Sequence, residues 1–87
     1  MFKVRNSKEV KSLATAFLLL NTETGLEAEV MKGLKDLDEV KEAHMLDGAY
    51  DVIVRMETAT MQELKDAVNW KIRRLESVRS TLTMIVI

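Results

Sequence analysis

The sequence predicts a small α+β domain in which two helices cover one side of a four-stranded antiparallel sheet. Three observations predict it. Apolar residues recur at helical spacing in two stretches, from Leu26 to Leu37 and from Met61 to Leu75. Four short runs of strand character surround them, at 14–20, 40–46, 50–56 and 78–87. The length of 87 residues, 47% hydrophobic and 31% charged, suits one folded core.

Met1 to Leu13 is polar and basic, with Phe2 and Val4 its main apolar points, and reads as an extension (1–13) ahead of the domain (14–87). Within it, Ser7 is placed to cap a short helix through Leu13, with Val10 and Leu13 on one side. Ala14 to Leu20 is a near-continuous apolar run closed by Asn21-Thr22, the pattern of a strand buried on both faces. Thr24-Gly25-Leu26-Glu27 matches a capping box, in which the Thr24 hydroxyl accepts from a free backbone N–H and Glu27 reaches back. Leu26, Val30, Leu34 and Leu37 then share one face of a helix from about Gly25 to Leu37.

In the next strand Val40, Glu42, His44 and Leu46 point one way and Lys41, Ala43 and Met45 the other. Charge on both sides suits a sheet edge. Asp47-Gly48-Ala49 is a hairpin signal, and Tyr50 to Met56 is the returning strand, with Val52, Val54 and Met56 on one side. A second capping box, Thr60 to Glu63, opens a helix that runs to about Leu75 with a stripe of Met61, Leu64, Val68, Ile72 and Leu75. Lys71, Arg73 and Arg74 fall in its last turns, where positive charge complements the helix dipole. Val78 to Ile87 closes the chain as a strand, with Ser80, Leu82 and Met84 on one face and Thr81, Thr83 and Ile85 on the other. This order is that of the ferredoxin-like βαββαβ fold, with the first and third strands central.

Two helices cover only one face of such a sheet. The other face is apolar as well: Phe17 and Leu19 oppose Ala16, Leu18 and Leu20 in the first strand. A monomer does not normally leave so large an apolar patch in water, and burial yields about 25 cal/mol per Å². A homodimer with dimeric α/β-barrel-type packing of sheet against sheet is therefore expected.

Net charge is −1 with no single-sign block, so neither a nucleic-acid footprint nor a polybasic membrane patch is present. No apolar run reaches the roughly 20 residues of a spanning helix, and the start of the sequence lacks a signal-peptide core. With no cysteine, thiol catalysis and thiolate metal sites are excluded, in keeping with a cytoplasmic protein. His44, the single histidine, has no companion nucleophile or carboxylate pair and reads as a plain strand residue. No cofactor and no metal are expected. Trp70 reads as packing or interface, and Lys71, Arg73, Arg74 and Arg79 as a helix end and solvated face.

Two places carry candidate binding chemistry. Gly48 permits positive φ and close approach to backbone N–H groups, and Asp51 is suited to accept from an ammonium group or to cap the turn. Ser80, Thr81 and Thr83 put hydroxyls ahead of an apolar strand end, where a carboxylate would find donors. Alternation sets Thr81 and Thr83 on one face and Ser80 on the other. Met45 and Leu46 offer an apolar wall or ordinary packing.

The run Ala16-Phe17-Leu18-Leu19-Leu20-Asn21-Thr22, then Val40-Lys41-Glu42-Ala43-His44, Gly48-Ala49-Tyr50-Asp51-Val52-Ile53-Val54, Lys71-Ile72-Arg73 and Ser80-Thr81-Leu82-Thr83-Met84-Ile85, resembles in order and spacing the ligand-sensing domain of Lrp/AsnC (feast/famine) regulators. The resemblance covers about Thr15 to Ile87, and the residues before it leave no room for the helix-turn-helix of those regulators. It implies a non-enzymatic sensor without direct DNA binding. It further implies dimers that form octameric or decameric rings, and an amino-acid effector in a cleft between subunits. The Gly48-Ala49-Tyr50-Asp51 loop and the start of the last strand would contribute to that cleft, with Thr81 and Thr83 first and Ser80 next. A full-length Lrp/AsnC regulator is the partner such a domain would modulate. The residues alone leave three alternatives: a small dimeric oxygenase or isomerase using Asp51, Tyr50 and His44, an RNA-binding module, and a structural oligomer with a vestigial cleft.

Overall fold

The computed structural model describes residues 13–87. Strands β1 (Ala14–Thr22), β2 (Val40–Met45), β3 (Val52–Thr58) and β4 (Val78–Ile85) and helices α1 (Glu27–Lys35) and α2 (Met61–Ala67) follow the expected order, and a π-helical segment, Val68–Ile72, prolongs α2. The extension and the short helix expected from Ser7 lie outside the described residues.

The sheet runs β2-β3-β1-β4, and all its neighbours are antiparallel. Alternation along β1 sends Ala16, Leu18 and Leu20 under the helices, where they are fully buried with Val52, Val54 and Met56 of β3. Val30 and Leu34 of α1, and Leu64, Ala67, Val68 and Ile72 of α2 and its extension, close the core from above. Each large side chain removed from water this way contributes about 1.5–3 kcal/mol. Gly33 in mid-α1 serves the same packing. A Cβ there would stand 3.0 Å from a methyl of Leu75, so the helix lies closer to that side chain than alanine allows.

Register assigns the remaining residues to faces. Leu18 faces Val54 on one side and Thr83 on the other, so Thr81, Thr83 and Ile85 share the helix side with Leu18. Ser80, Leu82 and Met84 share the helix-free side with Asn21, Leu19 and Phe17. On that side Leu82 and Met84 are each 44% exposed, beside half-buried Phe17, Leu19 and Ile53.

Several expectations are corrected. The barrel-type packing does not hold, because the sheet is open. It ends at β2 and β4, which pair only inward, and closure needs the first and last strands to meet. The first capping box does not form. Gly25 takes a left-handed φ of +87°, the chain turns there through a Leu26 N–H to Glu23 C=O bond, and α1 starts with Leu26 at its cap and no side-chain bond. The second box does form on its threonine side, where Thr60 Oγ1 accepts from Glu63 N–H at 3.1 Å. Val40 lies on the core side with Ala43, because a register shift between Val40 and Glu42 breaks the simple alternation. The hairpin loop spans 46–51, so β3 begins at Val52 rather than Tyr50.

The two boxes make a paired prediction. Thr60→Ala should destabilise the domain by about 1 kcal/mol, whereas Thr24→Ala should leave the urea midpoint unchanged, since Thr24 caps nothing.

Candidate functional site

Both regions singled out in the sequence lie along the path of β4, but on different faces. The first begins at the hairpin loop. Leu46 N–H donates to Asp51 C=O at 2.8 Å, and Asp51 N–H donates to Leu20 C=O at 2.9 Å. The Asp51 Oδ2 accepts from Thr22 N–H at 2.8 Å, with the Thr22 hydroxyl at 3.5 Å. A register irregularity at Asn21/Thr22 in the β1–β4 ladder accompanies this bond. The carboxylate thus ties the hairpin to the end of β1. Asp51, Asn21, Thr22, Thr24, Arg79 and Ser80 line a cleft of about 460 Å³ there. Ser80 Oγ accepts from Asn21 Nδ2 at 3.0 Å.

The second region lies under the helix side of β4. Arg73 N–H donates to Val68 C=O, five residues back, at 3.0 Å, which is the wide π turn. Between this turn and β4 lies a cavity of about 160 Å³, lined by Leu64, Val68 and Ile85 together with Lys65, Asn69, Arg73 and Thr83. Thr83 Oγ1 is buried and has no hydrogen-bond partner among the described residues. Leaving such a group unpaired costs about 1–3 kcal/mol. Thr81 stands between the two regions, in a cleft of about 270 Å³ that shares Arg73 with the cavity and Arg79 and Ser80 with the loop-end cleft.

The expected site residues therefore divide. Asp51 and Ser80 come together in one cleft, Thr83 lines another, and Thr81 lies between them. Gly48, Ala49 and half-buried Tyr50 sit in the loop, outside all three. Gly48 is exposed, its φ is not left-handed, and a Cβ there would meet nothing within 4 Å, so the turn does not need glycine. Met45 and Leu46 stand exposed at the end of β2, lining none of these clefts. Lys65 and Asn69 carry no role in the sequence reading, and Arg73 appears there as a helix-end charge and within the Lys71-Ile72-Arg73 motif, not as a site residue. Their four-residue spacing, which sets all three on one helix face, is the signal that finds them.

A fourth hollow, about 520 Å³, opens beside α2 among Asp38, Glu39, Glu57, Glu63, Asp66 and Trp70. Trp70 is 61% exposed and lies under the Arg74 guanidinium, 4.8 Å from the ring centre, so it is not core packing. Among the described residues no group of acidic or histidine side chains is arranged to hold a metal ion. Lys71 Nζ donates to Glu39 Oε2 at 2.7 Å, and this bond holds the Glu39 carboxyl below its ordinary value. His44 is exposed on β2, 3.6 Å from Glu42, whose carboxyl is held low mainly by its hydrogen bond from Arg55. No helix among the described residues is long and apolar enough to cross a membrane.

Because the Glu39 value is depressed in the folded state, its contribution to stability is present above the ordinary carboxyl value of 4.5 and is lost as pH falls through the lower folded value. Glu39→Gln should lower the urea midpoint at pH 7, and the difference from the parent should shrink as pH falls below the ordinary carboxyl value.

The model of the Lrp/AsnC ligand binding domain matches residues 15–87. The chain is 33% identical over 72 residues to the helix-turn-helix regulator FL11 of Pyrococcus abyssi, covering 83% of this chain and 47% of that protein. It is 29% identical over 83 residues to an uncharacterised helix-turn-helix regulator of Pyrococcus furiosus, covering 92% of this chain and 55% of the other. The chain thus spans about half the length of the curated relatives it matches. Among solved structures it is similar to FFRP-DM1, at 44% identity and a TM-score of 0.82, covering 85% of this chain and 99% of that one. A regulator of Neisseria meningitidis, solved with L-Met, shares the fold at 17% identity and a TM-score of 0.79, covering 100% of this chain and 58% of that one. The chain belongs to the Lrp/AsnC ligand binding domain family, whose members are ligand-binding regulatory domains rather than enzymes.

Proposed function

We propose that this domain senses an amino acid in the row of clefts along β4 and reports it through the association of copies. The observation that carries the reading is Thr83, whose buried hydroxyl has no hydrogen-bond partner among the described residues and which lines a cavity together with Lys65, Asn69 and Arg73. Such a group has two sound uses: to hold water or to hold a ligand. Ser80 and Thr81 extend the same row with hydroxyls, and Arg73 and Arg79 add donors for a carboxylate. Asp51 serves this site through the backbone it fixes, since one carboxylate oxygen is already bonded to Thr22.

The route of response is the helix-free face. Leu82, Met84, Phe17, Leu19 and Ile53 expose an apolar area on the order of several hundred Å². A second copy covering this face gives a homodimer. Further association into octameric or decameric rings would bring the exposed loop 46–51 of a neighbour, with Gly48, Ala49 and Tyr50, and the wall of Met45 and Leu46 to the row of clefts. A ligand held by two chains then favours one assembly by its differential affinity. A full-length Lrp/AsnC regulator, sharing the same fold, is the partner this would modulate, in the cytoplasm where amino-acid pools are read. DNA contact would belong to that partner.

Two measurements check the reading. Thr83→Val should be neutral or slightly stabilising without ligand, because it replaces an unpaired buried hydroxyl by a methyl group. The same change should abolish the thermal shift that the responsive amino acid produces in the parent. Light scattering at micromolar concentration should give a mass of two chains or more, and Leu82→Lys with Met84→Lys should reduce it to one. A parent monomeric at that concentration would refute the assembly route.

A further inference from the structure

We infer that the effector is an amino acid with an acidic side chain, aspartate or glutamate; the inference rests on the reading of the β4 row as the effector site. The charges along the row carry it. Lys65 and Arg73 stand at the helix-side cavity, Arg73 and Arg79 at the cleft around Thr81, and Arg79 again at the loop-end cleft. The sole acidic residue lining the three is Asp51, and one of its oxygens already serves Thr22. The ion pairs of the described residues engage Arg55, Lys71 and His44, not Lys65, Arg73 or Arg79. The row is thus a strip of donors in excess.

A zwitterion with a neutral side chain brings one carboxylate and one ammonium to this strip, and leaves most of its positive charge unanswered. A lysine or arginine effector adds a further like charge and is repelled. A dicarboxylic amino acid in the helix-side cavity brings two carboxylates to Lys65 and Arg73, the two cations that line it. Its ammonium meets the acceptors that remain, the Thr83 hydroxyl and the Asn69 amide oxygen. Its one or two methylenes would lie against Leu64, Val68 and Ile85, the apolar residues of the cavity lining.

The test is calorimetric titration of the full 87-residue chain with L-glutamate, L-aspartate, L-glutamine, L-asparagine, L-leucine and L-lysine. The acids should bind at least about tenfold more tightly than their amides, the loss expected when charge-assisted bonds become neutral ones. Lys65→Glu and Arg73→Gln, both at exposed helix positions, should remove that preference while leaving the circular dichroism spectrum unchanged. If glutamine, asparagine, leucine or lysine binds as well as the acids, the acidic class is wrong and the sensor site stands; if the preference survives both substitutions, Lys65 and Arg73 are not its source and the inference falls. If none of the six binds and a thermal-shift screen of the other common amino acids is also silent, the sensor reading itself is overturned.

Discussion

The structure depends on one constraint: a four-stranded sheet has two faces, and the described residues supply helices for one. β1 shows the consequence most directly. It is central, bonded to β3 on one side and β4 on the other, and its residues alternate between a sealed core and a free surface. Leu18 and Leu20 fix α1 and α2 on the sheet; Phe17 and Leu19 give the other face the same apolar character. The apolar character that builds the core is therefore repeated on the opposite side, the surface that the proposed association would cover.

The same alternation organises the chemistry. Along β4 the hydroxyls of Thr81 and Thr83 go to the helix side and that of Ser80 to the free side, so they sit in successive clefts rather than in one pocket. What joins those clefts is the end of the second helix. Its π turn carries Arg73, the residue shared between the cavity and the cleft around Thr81. Ser77, in left-handed backbone at φ 76°, makes the bend that returns the chain into β4, and its carbonyl accepts from Glu23 N–H at 2.8 Å. The strand that forms the sheet edge is thus also the strand on which donors accumulate.

Much of this was legible in the amino-acid order, and the exceptions have physical causes. Periodicity gave the element order and the central place of β1 and β3, because buried faces impose periods of 2 and 3.6 wherever they occur. It could not reveal the bulge that turns Val40 toward the core, since one extra residue leaves composition unchanged. The Thr24 box misled because a left-handed Gly25 breaks the geometry that the pattern assumes, whereas Thr60 met no such obstacle. The candidate site was legible in its strand residues and not in its helix residues. Thr83 stood out as a hydroxyl among apolar neighbours, while Lys65 and Asn69 look like any solvated helix face until β4 is laid beside them. The Asp51 carboxylate drew attention for its charge, but its bond to Thr22 N–H depends on a long-range pairing that local pattern does not encode.

The most direct test of ligand capture along β4 is a methyl NMR titration that follows Leu64, Val68 and Ile85 as an amino acid is added. These three methyl-bearing residues line the cavity that holds the Thr83 hydroxyl. Chemical-shift changes concentrated on them, saturating with the ligand and absent in Thr83→Val, are the predicted result. Changes confined to the acidic hollow around Trp70, with the three cavity residues unmoved, would contradict it.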